Sequence, residues 1–146
     1  MRKYDPLDIV SALPLAFVFH LALMRDWYGI LGMFLCEVVT KVIKRTPGLG
    51  GERPVAGAKC DLLSCRAYAK GSPGFPSGHV ASTAFFFARL NRQQWGIGPT
   101  WVAAAVAFMA WVRVRKGCHT WGQALGGAAL GFTVSSIVPV QDPNAA

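Results

Sequence analysis

The sequence predicts an all-α fold: an integral-membrane bundle of about five transmembrane helices, formed by residues 1–146 as a single domain. Three observations lead there. Hydrophobic residues make up 53% of the chain and charged residues only 15%, more apolar than a soluble domain of this size needs. The apolar residues are gathered into blocks near the length that crosses a bilayer, roughly 20 helical residues. Tryptophans fall at the block ends, Trp27, Trp95 and Trp101 at one set and Trp111 and Trp121 at the other, as interfacial belts require.

The first block runs from about Leu7 to Met24 and the second from Trp27 to about Ile43, with only Arg25 and Asp26 between them, which makes a tight hairpin. Arg2 and Lys3 before the first block resemble the start of a secretory signal. No small-residue cleavage site precedes Met24-Arg25-Asp26, so the block is read as a retained span. The third block runs from about Ser77 to Leu90, the fourth from Ile97 to Val112 and the fifth from His119 to Val140. Gly122, Gly126, Gly127 and Gly131 in the fifth are spaced so that a neighbouring helix can approach closely. The one long connection, about residues 46–76, is rich in Gly and Pro, and connections of this length are usually functional or disordered.

Spans that cross alternately bring the end of the second, the start of the third, the end of the fourth and the start of the fifth to one face. Every candidate catalytic residue lies there. Arg53-Pro54 sits in the long connection, Pro76-Ser77-Gly78-His79 opens the third span, Arg113 closes the fourth, and His119 and Gln123 open the fifth. Ser77 at a helix start can cap the helix while the first amides and the helix dipole attract a phosphate, and Gly78 lets a ligand approach the backbone. Arg53 and Arg113 supply forked donors that match phosphate oxygens, and His79 and His119 supply an acid and a nucleophile. His20, inside the first span with no partner in the sequence, is read as a packing residue.

These segments resemble the three-part signature of the type 2 phosphatidic acid phosphatase superfamily: Arg53-Pro54, then Pro76-Ser77-Gly78-His79, then Arg113 with five residues before His119. The resemblance spans roughly Lys41 to Gly131. It implies a four-helix catalytic core within five spans, one fewer than the six common in membrane members, and so an absent N-terminal helix. It also implies a metal-independent lipid phosphate or diphosphate phosphatase without a cofactor, acting on phosphatidic acid or polyisoprenyl diphosphate type substrates. In such a reaction His119 attacks phosphorus to give a phosphohistidine and His79 protonates the leaving oxygen. Arg53, Ser77, the Gly78 amide, Arg113 and one lysine would hold the phosphoryl oxygens.

The sequence departs from the family pattern at two places. The motif lysine would stand six residues before Arg53, where Thr46 is found; Lys44 is the favoured substitute, with Arg45 close behind. Lys41, one helical turn after Glu37, is explained by an ion pair with it. Gln123 occupies the place of the aspartate that orients the nucleophilic histidine. Its spacing of four from His119 suggests a shared helix face and a carbonyl acceptor for Nδ1–H, as in the dolichyldiphosphatase branch, which the His119-Thr120-Trp121-Gly122-Gln123 stretch resembles.

Cys36 lies within the second span as a packing residue. Cys60, Cys65 and Cys118 lie on the active-site face with no structural zinc spacing. A disulfide from Cys60 to Cys118 would tie the long connection to His119, Cys60 to Cys65 is the local alternative, and free thiols are the third; an oxidising compartment is needed for either bond. The net charge of +8 sits at span ends and in the connection, which points to anionic lipid headgroups and not to nucleic acid. Of fifteen Lys and Arg only Arg25, Arg89 and Arg92 lie on the opposite face, leaving twelve with the site. The positive-inside rule therefore puts the site on the cytoplasmic side, whereas the resemblance points to the lumen or periplasm. A competing reading is a non-catalytic membrane protein binding phospholipid headgroups through a degenerate phosphatase site, favoured by Gln123 and the displaced lysine. Intact His79, His119 and both arginines oppose it. A vanadate-dependent oxidase is a third reading, opposed by the spans.

Overall fold

The structure, a computed structural model, describes residues 6–55, 60, 71–93 and 95–140. Among them the chain is all-helical: α1 (Leu7–Val10), α2 (Leu13–Leu23), α3 (Trp27–Arg45), α4 (Gly78–Arg92), α5 (Pro99–Arg115) and α6 (Trp121–Ile137). Helix α4 is the centre. It packs against α2, α3, α5 and α6, and it buries residues around its whole circumference, from Val80 through Phe86 to Arg89 and Leu90.

Local sequence explains most boundaries. Asp26 caps α3 by accepting from the Gly29 amide at 2.9 Å, and Arg25 at φ 53° makes the reversal between α2 and α3 possible within three residues. Pro99 starts α5 at a position where no amide hydrogen bond is lost. Thr120 and Gln123 form a capping box at the start of α6, each side chain bonding the other's backbone amide. The expected first span is broken into α1 and α2 at Ser11–Ala12, because Pro14 cannot donate to the Val10 carbonyl.

The core has two parts. Phe17 stacks on Phe86 with ring centroids 4.3 Å apart, beside Leu21, Met33, Cys36 and Phe85; Val80, Ala84, Met109 and Ala124 fill the contact of α4 with α5 and α6. His20 packs edge-on against Phe86 and Trp95. The glycines of α6 act as expected at three positions: a Cβ at Gly127 would lie 2.4 Å from the Ser77 carbonyl oxygen, at Gly131 2.2 Å from that of Ala81, and at Gly126 2.2 Å from the Phe75 ring. Gly122 has no such neighbour, its nearest being Thr120 Oγ1 at 3.9 Å.

The expected spans are corrected in length. Among the described residues no helix is long and apolar enough to cross a membrane. Helix α3 has 19 residues but carries Glu37, Lys41, Lys44 and Arg45, and the others have 17 or fewer. At the end away from the cavity described below, Asp26 receives Arg89 Nε at 2.5 Å, Arg89 Nη2 at 2.6 Å and Gln93 Nε2 at 2.8 Å, while Arg89 Nη1 donates to the Pro139 carbonyl at 2.9 Å. This buried cluster ties the start of α3 to the ends of α4 and α6.

Candidate active site

One cavity of about 510 Å³ is lined by Lys44, Arg53, Gly78, His79, Arg113 and His119. Residues from α3, α4, α5 and two connections thus meet at one end of the bundle. The fold delivers each by a local device. After α5, Gly117 at φ 67° turns the chain so that the Cys118 and His119 amides both donate to the Arg113 carbonyl, at 3.0 and 3.3 Å. Arg53 is held by the pairing of two stretches of the long connection. Its amide donates to the Ser72 carbonyl at 3.1 Å, and the Gly74 and Phe75 amides donate to Gly50 at 3.0 and 2.6 Å.

His119 is almost fully buried, with 1% of its surface exposed. Arg53 Nη1 lies 3.4 Å from His119 Nε2 and donates to the Cys118 carbonyl at 2.9 Å. A guanidinium only donates, so Nε2 presents its lone pair and the ring proton is on Nδ1. Burial pushes the imidazole down to about 2, and the charges of Arg113, Arg53 and Lys44 push the same way; only the Gly74 backbone opposes them. The ring is therefore neutral, and its Nδ1 faces the Gly74 backbone at a looser geometry than an ordinary hydrogen bond.

His79 stands on the same cavity and donates from Nε2 to the Ser11 carbonyl at 3.1 Å. Arg113 is buried and donates from Nη1 to Ser11 Oγ at 3.1 Å and to the Cys60 carbonyl. Cys60 and Cys118 are joined as a disulfide, which fastens the long connection beside His119. Cys65 lies outside the described residues. At Gly78 an added Cβ would meet only Thr40 and Glu37, at 3.5 and 3.7 Å, so the protein's own packing does not require the glycine.

Three expectations are corrected here. Gln123 does not reach His119: α6 begins at Trp121, so His119 precedes the helix and the spacing of four does not place the two on one face. Its Oε1 instead accepts from the Thr120 amide at 3.1 Å, and its Nε2 donates to the Glu52 carbonyl at 2.7 Å. Ser77 occupies the cap position of α4 but makes no side-chain cap; it is fully buried against α6, its amide donating to the Gln123 carbonyl at 3.0 Å, and it is not on the cavity wall. Arg45 is exposed and does not line the cavity, whereas Lys44 does. Lys41 makes the expected ion pair with Glu37, 3.0 Å, yet also lines the cavity.

Sequence reasoning missed Ser11, Thr40 and Ser72, which share the cavity wall. A serine three residues before Pro14 was the one available signal for Ser11, since a proline-broken helix start frees polar backbone atoms. Among the described residues no group of three or more His, Cys, Asp or Glu side chains could hold a metal ion.

A helical bundle that gathers four cations, two imidazoles and a helix N-terminus around one cavity defines a protein built to handle an anion. Residues 25–145 match the PAP2 superfamily, and the chain belongs to that superfamily. The superfamily generally comprises phosphatases, which supports phosphoric-ester hydrolysis as the chemistry of this chain and a phosphorylated lipid or similar compound as its substrate. No curated protein and no solved structure matches it.

Proposed function

We propose that the protein is a metal-independent phosphatase of lipid phosphates or diphosphates that works through a phosphohistidine at His119. The observation that carries this is the buried, neutral His119 whose Nε2 lone pair lies beside Arg53 on a cavity also lined by Arg113 and Lys44. A phosphoryl group there has its oxygens held by Arg53, Arg113, Lys44 and the Gly78 amide at the start of α4. Nε2 of His119 attacks phosphorus, and the bond to the leaving oxygen breaks as that oxygen takes the Nδ1 proton of the His79 imidazolium, whose Nε2–H stays on the Ser11 carbonyl. A water then gives its proton to His79 and attacks the phosphohistidine, releasing phosphate and restoring both rings. The cations, already in place, meet the charge that develops on the equatorial oxygens.

The membrane setting belongs to the same proposal. Large apolar side chains stand exposed along the outward faces of several helices, including Phe19, Leu31, Phe34, Trp101, Phe108, Leu125 and Ile137. Contiguous faces of this kind suit lipid tails better than water, and helices of 15–19 residues rise about 23–28 Å, slightly under a hydrocarbon core of about 30 Å. The disulfide supports a site on an oxidising side of that membrane, against the charge count.

The test is phosphate release from a panel of lipid phosphates and diphosphates by purified protein in detergent. Release should continue in EDTA and be inhibited by orthovanadate; an absolute Mg²⁺ requirement would sink the mechanism. The uncharged Gln123, bonded to Thr120 and Glu52 and not to His119, leaves the nucleophile without an acidic partner among the described residues and favours a second reading, a headgroup-binding protein without turnover. That reading wins if no substrate is hydrolysed while headgroups bind equally well to wild type and His119→Ala.

A further inference from the structure

The superfamily match begins at residue 25, so α1 and α2 precede it, yet the junction between them enters the candidate site. Pro14 breaks the helix there, and the chain turns through i→i+3 bonds: Ser11 N to Asp8 O at 3.1 Å, Ala12 N to Ile9 O at 3.0 Å and Leu15 N to Ala12 O at 3.0 Å. In a continuous helix the Leu15 amide would donate to the Ser11 carbonyl. That carbonyl is released to accept from His79 Nε2 instead, at 3.1 Å.

The side chain is engaged just as fully. Ser11 is 7% exposed, and its Oγ donates to the Cys60 carbonyl at 3.0 Å. It accepts from Arg113 Nη1 at 3.1 Å and lies 3.4 Å from Lys116 Nζ, which is itself paired with Asp8. One donated and two accepted bonds use the whole capacity of a hydroxyl. A single residue therefore touches the acid, a phosphate-binding arginine and the disulfide-linked connection.

We propose that Ser11 is a positioning residue of this site. Its carbonyl holds one His79 proton on Nε2, so that Nδ1 is the atom that gives and takes the proton of the reaction. Its hydroxyl sets the angle at which the Arg113 fork meets a phosphoryl group. The helix pair α1–α2 thereby completes a site whose other members come from the matched region. This rests on the phosphatase reading above.

The test uses the full chain in detergent, with Ser11→Ala, Ser11→Thr and Arg113→Ala, alone and combined. Kinetics on a soluble aryl phosphate are measured beside orthovanadate affinity. One lost hydrogen bond to a charged group corresponds to about tenfold or more, so Ser11→Ala should lower both kcat/KM and orthovanadate affinity by about that factor, and Ser11→Thr should restore most of each. In the Arg113→Ala background Ser11→Ala should add little. Wild-type kcat/KM and orthovanadate affinity in Ser11→Ala, or an equal loss in both backgrounds, overturns the proposal. In wild type, ¹⁵N chemical shifts of His79 should report the Nε2–H tautomer, a measurement that needs no variant to fold; the Nδ1–H tautomer overturns the carbonyl's role. A wild type that binds orthovanadate but hydrolyses nothing removes the phosphatase reading alone, and weaker orthovanadate binding by Ser11→Ala then still upholds the positioning role.

Discussion

His119 combines two properties that water would keep apart, an unprotonated Nε2 and a surround of positive charge. Burial and the neighbouring cations hold its imidazole at about 2, against an ordinary value of 6.5. Below pH 6.5 the unfolded chain takes up a proton there that the folded chain refuses, so stability falls as pH falls from 6.5 towards 2 and is unaffected by this group above 6.5. The slope approaches about 1.4 kcal/mol per pH unit. Denaturant melts at pH 6.5 and 4.5 should show the loss in wild type and a smaller one in His119→Asn. In turnover, His119→Ala should abolish phosphate release and the acid-labile, base-stable label on quenched protein. His79→Ala should slow poor leaving groups about a hundredfold or more, and activated aryl phosphates far less, because only the former need a proton. Gln123 has a different role from the one its spacing suggested. Its amide closes the α6 cap and holds Glu52, and a Cβ at Gly74 would lie 2.6 Å from its Oε1. Gln123→Asp is too short for both bonds and should cost about 1–3 kcal/mol of stability, measured by denaturation.

Helix α4 is held at its C-terminal end and along its length by contacts that tolerate little change. At its C-terminal end, burial alone would raise the Asp26 carboxyl, but the Arg89 guanidinium, the Gly29 amide and Gln93 hold it below its ordinary range. Replacing Arg89 by Met would strand that carboxylate, and breaking a buried pair in this way costs about 3–5 kcal/mol. A thermal or denaturant scan of Arg89→Met should show a loss of that order, relieved in part by Asp26→Asn. Along its length α4 lies against the small-residue face of α6. Gly131→Ala would press a methyl to 2.2 Å from a backbone carbonyl oxygen, which cannot rotate away, and should destabilise by about 1–3 kcal/mol. Gly122→Ala meets nothing closer than 3.9 Å and should be neutral or stabilising by up to about 1 kcal/mol through helix propensity. The two alanines test whether close helix approach or glycine content alone matters in α6.

At the scale of the whole molecule, the disulfide joins the long connection to the turn carrying His119, and so closes one wall of the cavity. Mass spectrometry of unreduced protein should find Cys60 and Cys118 protected from alkylation and Cys36 reduced, the latter modified only on unfolding because it is buried. Reduction should lower activity by loosening Arg53 and Arg113, whose acceptors include the Cys118 and Cys60 carbonyls. Alkylation of both cysteines without reductant would remove that tie and with it the argument for an oxidising compartment.

The all-helical class, the hairpin at Arg25-Asp26, the α6 glycine face and the convergence of Lys44, Arg53, Gly78, His79, Arg113 and His119 were legible from apolar blocks, small-residue spacing and short ordered motifs. These are local signals, and local signals survive folding when packing agrees with them. What only the tertiary structure decided depends on where a helix starts and what it meets. A two-residue delay in α6 took Gln123 away from His119 and put it into a cap. Burial of Ser77 against α6 withdrew its side chain from the cavity, the turn of α3 directed Lys44 and not Arg45 inward, and the break before Pro14 sent Ser11 into a site no motif assigns to it. A sequence pattern carries spacing along the chain, whereas a hydrogen bond depends on distance and direction between segments that only packing brings together.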